Sequence, residues 1–300
     1  MTKQQRDTID QMLRHGTLNL GGEVEEQRGI FADMMSSIPL PDDVLTEVRN
    51  LGEVPVVTIT VDGSNSSGTI LYFHGGAYAL GTAALSAGLA SQLARRTGAR
   101  AVSVDFALAP ERPYPAAVHD AVAAYRALLD DGVRASDIAL AGESSGGGLA
   151  LAATLAILST GLPCPAAIYV ASPWADLTTS GESTTTKAVV DPSVTPHGLR
   201  RRANDYAPGH DLADGRLSPV FADLTGFPPL LIQVGGNEVL LDDATRLAAR
   251  AAGDGVAVTL DVTPDVPHVF VGFAGMLDEA DHALSTAGQF IRTHLAAPES

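Results

Sequence analysis

Cysteine is all but absent from this 300-residue chain: a single thiol, Cys164, stands between Pro163 and Pro165. A lone thiol excludes an internal disulfide framework and suits a reducing cytoplasm, the compartment expected here. Lysine is nearly as scarce, with Lys3 and Lys187 against 17 arginines, a bias better explained by codon usage than by function. Basic residues are outnumbered as a whole, 19 against 35 acidic ones, for a net charge of −16. A surface of that sign repels phosphate backbones and anionic lipid, so neither nucleic acid nor membrane is expected as a partner. Long hydrophobic runs are missing too. The amino terminus from Met1 to His15 is polar and has no apolar signal core. The longest run dominated by apolar residues, Leu149–Leu158, has ten positions, too few to span a bilayer. No Cys/His cluster has zinc spacing, no phosphate-cradling loop is evident and no internal repeat is found. Neither metal nor cofactor is expected.

What is present is an alternation of short apolar runs and helical stretches, the pattern of a doubly wound α/β sheet in one domain. Strands are expected at Val54–Val61, Thr69–Phe73, Ala101–Asp105, Ile138–Ala141, Ala166–Ala171, Leu230–Val234 and Val256–Val262. Helices are expected near 85–97, 115–130, 145–160, 243–252 and 277–296. The turn from Asp62 to Gly68 suits a hairpin-like link between the first two strands. Two segments break the alternation. Residues 1–50 carry apolar residues at helical spacing (Ile9, Met12, Leu13; Phe31, Met34, Met35). Residues 178–215 are polar and punctuated by proline, and their Arg200-Arg201-Arg202 run reads most simply as a solvated face.

Five residues carry the most chemistry. Gly142-Glu143-Ser144-Ser145-Gly146 lies between an apolar run and a long Ala/Leu-rich helix, the setting of a G-x-S-x-G nucleophile elbow on an α/β-hydrolase sheet. A turn this tight has no room for side chains two positions either side of the serine. It exposes the hydroxyl of Ser144 and aims the following helix's unpaired N–H groups at a developing oxyanion. About 70 residues upstream, the run Thr69–Phe73 ends in His74-Gly75-Gly76-Ala77-Tyr78. A glycine-rich turn there brings further backbone donors to a substrate carbonyl, and His74, beside the glycines, reads as a loop brace rather than a base.

These segments, with Asp105-Phe106-Ala107-Leu108-Ala109-Pro110-Glu111 and the stretch from Ser218-Pro219 to Gln233-Val234-Gly235, resemble the hormone-sensitive lipase-like (bacterial family IV) esterases. The four motifs match that family's HGGG, DYRLAPE, GDSAGG and a later stretch, in that order, over about residues 50–297. Ala77 stands where the family has a third glycine and Ala107 where it has arginine; alanine still supplies an N–H. The resemblance implies an eight-stranded, mostly parallel sheet flanked by helices. It implies a helical cap formed by about 1–50 and 178–215, in which Met34, Met35 and Tyr206 are candidates to line an acyl pocket beside the plainer reading of helix packing. It also implies oxyanion donors at Gly76, Ala77 and Ser145.

A serine nucleophile on this fold takes its acid and then its histidine later in the chain. Of eight histidines, only His268, His282 and His294 follow every plausible acid-bearing loop. His282 and His294 fall on an amphipathic carboxyl-terminal helix, where packing is the simpler role. His268-Val269-Phe270 resembles the family's catalytic HxF. For the acid, Glu238 occupies the position where the family usually has aspartate, with Asp242 as the alternative. Asp242 and Asp243 otherwise read as caps of the next helix.

The mechanism so implied has His268, held by Glu238, take the proton of Ser144 as the hydroxyl attacks an ester carbonyl. An acyl-enzyme forms and water releases it. A histidine base predicts activity falling below about pH 6.5. The resemblance implies short-to-medium acyl esters of small alcohols as substrates. A lactone hydrolase with the same triad is the alternative, and a non-catalytic small-ligand receptor is disfavoured because His268 is retained. A homodimer is compatible with the acidic surface.

Overall fold

Runs of β-branched, aromatic and small apolar residues form an eight-stranded sheet in the computed structural model, which describes residues 3–37, 39–64 and 68–295. Met1 and Thr2, part of the polar terminus, residue 38 in the 1–50 segment, the middle of the expected 62–68 turn and the last residue of the expected 277–296 helix lie outside the described residues. In chain order the elements are α1 (Lys3–Arg14), α2 (Val24–Ser36), β1 (Val44–Leu51), β2 (Val54–Val61), β3 (Thr69–Phe73), α3 (Ala87–Thr97), β4 (Arg100–Val104) and α4 (Ala116–Asp130). They continue with β5 (Ile138–Glu143), α5 (Ser145–Ser159), β6 (Ala167–Ala171), α6 (Ser183–Thr186), α7 (Pro196–Tyr206), β7 (Leu230–Gly235), α8 (Leu241–Gly253), β8 (Val258–Thr263) and α9 (Asp278–His294). No helix among the described residues is long and apolar enough to cross a membrane.

The strand order is β1-β2-β4-β3-β5-β6-β7-β8. β2 runs antiparallel to both its neighbours, and every other pair is parallel. Parallel strands are covered on both faces, so β3 and β6 are buried along their whole length and read as unbroken apolar runs rather than alternating ones. Alternate residues still part company. Leu71 and Phe73 join the core under α4, α5 and α8, whereas Ile70 and Tyr72 join the one under α3 and α9. Helix α5 is apolar on every side because it is buried behind the nucleophile's strand.

Two expectations about the sheet are corrected. Residues 44–50 of the segment assigned to a cap form, with Leu51, edge strand β1, paired in full register with β2. Its outward side chains, Leu45 and Val48 among them, are exposed, so no buried face imposed a two-residue period on the sequence. The 62–68 turn does not close a hairpin, because β4 is inserted between β2 and β3.

Helices α1 and α2 and the 178–215 segment are fastened to one another and to the loops leaving the sheet. Arg28 of α2 donates to the carbonyls of Ala79 (2.9 Å) and Ala109 (3.1 Å) and pairs with Glu111 (2.7 Å). The arginine run is not a solvated face. Arg201 donates to the carbonyl of Gly21 and pairs with Glu23, both at 2.6 Å, and Arg202 is buried with its guanidinium on the carbonyl of Gly22 at 3.1 Å. Only Arg200 of the three is exposed. Docking of α7 on the 19–23 turn turns two of these charges inward.

Candidate active site

Loops at the carboxyl ends of the parallel strands β3, β5, β6, β7 and β8 converge where ligands bind on open α/β sheets. Ser144 stands between β5 and α5 with φ 53° and ψ −123°, a strained conformation for a non-glycine residue. Its neighbours hold it there: its N–H donates to Ala171 O (3.0 Å), and its carbonyl accepts from Gly148 N (3.1 Å) and Trp174 N (2.9 Å). A Cβ on Gly142 would lie 2.4 Å from the Gly146 carbonyl oxygen, and one on Gly146 2.0 Å from that of Phe73. Close approach, rather than unusual φ, is what demands glycine at these two positions.

The loop after β3 turns through Gly76 (φ 117°), Ala77 (φ 53°) and Tyr78 (φ 60°), braced by Ala79 N and Leu80 N on the carbonyl of Gly76. Among the described residues, the N–H groups of Gly76, Ala77 and Ser145 have no acceptor within the protein. One of these three N–H groups, that of Ser145, lies at the amino end of α5, directly after the strained serine.

His268 follows β8 and bridges to both candidate partners. Its Nε2 lies 3.0 Å from Ser144 Oγ and its Nδ1 2.7 Å from Glu238 Oε2. Glu238 is fully buried in the loop after β7, and its other oxygen accepts from Gly235 N (2.6 Å) and Ser172 Oγ (2.8 Å). Burial favours the neutral His268 ring, but the charge and hydrogen bond of Glu238, followed by the charges of Asp191 and Glu143, outweigh it and raise its pKa above the ordinary 6.5. Only the neutral ring can accept the serine proton, so a raised pKa removes activity at a higher pH than an unperturbed histidine would. The acid limb of kcat/KM is therefore expected to have its midpoint above 6.5. A midpoint below that value, measured with a neutral ester, would contradict the assignment of the base.

The other candidates are placed elsewhere. Asp242 accepts from Ser183 N at 2.9 Å, and Asp243 accepts the N–H groups of Ala175 and Asp176, both at 2.8 Å. Both sit in the first turn of α8, where the sequence suggested capping, yet their carboxylates hold neighbouring loops instead. His74 is buried, stacks on Phe106 at 4.3 Å and bonds its Nδ1 to Gly75 O at 2.7 Å; burial holds it below the usual imidazole range. His282 and His294 both lie on α9, His294 bonded to Phe290 O. Met34 is exposed and Met35 half-buried, whereas Tyr206 is buried with its ring stacked 3.8 Å from Tyr78, next to Ala77.

Two participants had no separate signal in the sequence. Ser172, after β6, donates to Glu238 and accepts Val269 N (3.0 Å), lacing the acid loop to the histidine loop. Glu143, the variable letter of the elbow, accepts Gly75 N at 2.6 Å and the hydroxyl of Tyr72, tying the nucleophile strand to the glycine loop. Burial pushes its carboxyl up to about 7 against both hydrogen bonds. Among the described residues no cluster of three or more His, Cys, Asp or Glu side chains is arranged to hold a metal ion.

Comparison with known proteins accords with this geometry. Residues 70–272 match the family model of the alpha/beta hydrolase fold. An acetyl-hydrolase of Streptomyces hygroscopicus is 40% identical over 281 residues, covering 91% of each chain. An esterase of Acinetobacter venetianus is 35% identical over 226 residues, covering 74% of this chain and 73% of its own. Among solved structures, an esterase from the bacterial hormone-sensitive lipase family superimposes with a TM-score of 0.95 at 40% identity, covering 99% of this chain and all of its own.

Proposed function

The chain belongs to the hormone-sensitive lipase-like esterases of the α/β-hydrolase fold and is a carboxylic ester hydrolase; from that premise we propose that it cleaves short-to-medium acyl esters of small alcohols with Ser144, His268 and Glu238. The observation that carries the reading is the unbroken hydrogen-bonded line from Ser144 Oγ through His268 to Glu238. His268 takes the serine proton as Oγ attacks the ester carbon, and Glu238 stabilises the imidazolium. The N–H groups of Gly76, Ala77 and Ser145 receive the negative charge on the former carbonyl oxygen. His268 then protonates the leaving alcohol, and a water deprotonated by the same ring releases the acid from Ser144.

Helices α1 and α2 and residues 178–215 form a cap over this site, a role supported by the contacts of Arg28, Arg201 and Arg202. The Tyr206 ring is carried by the cap and stacked on Tyr78 beside the glycine loop, and in this reading it limits the acyl chain. The name of the Streptomyces relative, an acetyl-hydrolase, accords with a small acyl group. A reducing cytoplasm, in keeping with the lone Cys164, is the compartment. The test is a p-nitrophenyl ester series from acetate to laurate, run beside ε-lactones. We expect kcat/KM to peak at six carbons or fewer and to exceed the lactone value. A peak at ten or more carbons would remove the acyl-limit reading, and faster lactone opening would reassign the substrate.

A further inference from the structure

The cap segment 178–215 reaches the acid-bearing loop through a buried carboxylate, that of Asp191. One of its oxygens accepts the N–H groups of Ser193 and Val194, both at 2.9 Å, and the Ser193 hydroxyl at 3.3 Å. The other accepts the N–H of Val239, the residue after Glu238, at 2.9 Å. The carbonyl of Val239 is held as well, by the Ser183 hydroxyl of α6 at 2.7 Å. On the other side of Glu238, Asn237 N donates to Val266 O in the histidine loop at 3.1 Å. The backbone flanking Glu238 is thus tied to the histidine loop on one side and to the cap on the other. Helix α1 grips the same strip just ahead of Asp191, where Arg14 donates to the carbonyls of Val189 (3.4 Å) and Val190 (3.0 Å).

We propose that Asp191 is a positioning residue for the triad: by holding the peptide N–H of Val239 it makes the seating of the cap set the aim of Glu238 at His268. Asp191 makes no hydrogen bond to Ser144 or His268, so it acts only through the acid loop and through its charge. A cap seated over substrate then presents a correctly aimed carboxylate, and a displaced cap does not. The inference rests on Glu238 being the triad acid. Geometry matters at this scale because a displacement near 1 Å in a reacting constellation costs on the order of 100-fold in rate. The plainer alternative is that Asp191 merely closes the 191–194 turn.

Three carboxylates on separate elements raise the His268 pKa through their charge: Glu238 in the loop after β7, Asp191 in the cap and Glu143 in the elbow, the last itself pushed up to about 7 by burial. Asp191→Asn removes one of these charges and leaves the other two. Rates should be counted per active site by fluorophosphonate titration, with pH profiles and melting curves alongside. For Asp191→Asn we expect kcat to fall about 10-fold with KM within about twofold. The acid limb should move to lower pH, because one charge that raises the His268 pKa is gone. Ser193→Ala, which loses one contact to the same carboxylate but no charge, should keep both kcat and limb. Ser183→Ala loosens Val239 from its other side without touching a charge, so it should lower kcat and leave the limb in place. An Asp191→Asn enzyme that melts earlier but keeps wild-type kcat per site and an unmoved limb would overturn the proposal. Should that variant fail to fold, unchanged kcat per site in Ser183→Ala would do the same. Failure of the triad reading itself would look different, with Glu238→Gln retaining the wild-type rate.

Discussion

Replacing Ser144 by alanine is expected to lower kcat for p-nitrophenyl acetate by a factor on the order of 10⁵ while the protein stays folded. The size follows from what the hydroxyl does. Without it no acyl-enzyme can form, and His268 and the free N–H groups of Gly76, Ala77 and Ser145 act on a substrate with no nucleophile in line. Some acceleration over water should survive, since those donors still polarise a bound carbonyl. Folding should be nearly indifferent. Alanine at φ 53° bears the same strain as serine, and among the described residues the side chain gives up only its hydrogen bond to His268. A melting temperature close to wild type with turnover gone would separate chemistry from structure. Retention of a tenth of the wild-type rate would contradict the account.

The second large effect is expected at Glu238. Its buried carboxylate accepts three hydrogen bonds, two on one oxygen from Gly235 N and Ser172 Oγ and one on the other from His268 Nδ1. Glutamine has a single acceptor oxygen. Placed toward Gly235 and Ser172, that oxygen leaves the amide NH₂ facing His268, so Nδ1 must become the acceptor and the proton moves to Nε2. The ring then presents N–H to Ser144 and cannot take its proton. Glu238→Gln should lower kcat on the order of 10⁴-fold, the cost of fixing a triad imidazole in the wrong tautomer. Asp242→Asn should stay within a few-fold of wild type, because the Asp242 carboxylate faces Ser183 N rather than an imidazole. Reversal of that order would move the acid to Asp242.

Much of the scaffold was legible because local and global demands coincide there. The strand at 69–73, the strand that leads into the elbow and the helix that follows it are dominated by apolar residues and flanked by glycines, and burial on both faces leaves little else such runs can be. The edge strand at 44–51 was not legible for the opposite reason: with Leu45, Glu47 and Val48 all exposed, no face of it is selected for burial. The arginines at 200–202 misled because charge in sequence says nothing about partners 180 positions away, here the carbonyls of Gly21 and Gly22. In the site, motif and chain order pointed to Ser144, His268 and, with Asp242 as the alternative, Glu238, and the fold brings Ser144, His268 and Glu238 within hydrogen-bond reach of one another. Ser172 and Asp191 were not, since each acts through hydrogen bonds to backbone or carboxylate in loops far along the chain, and a serine or aspartate in a polar loop carries no mark of that. Glu143 stood inside the best motif of the chain, but its bond to Gly75 depends on β3 and β5 being neighbours, a fact of topology rather than of composition.

The most direct measurement is covalent. Wild-type protein treated with a fluorophosphonate and digested should carry the phosphonyl group on the peptide containing Ser144, in step with loss of ester cleavage, and His268→Ala should label far more slowly. A protein that remains unlabelled at Ser144 while it still hydrolyses p-nitrophenyl acetate would place the nucleophile elsewhere and undo the assignment of all three side chains.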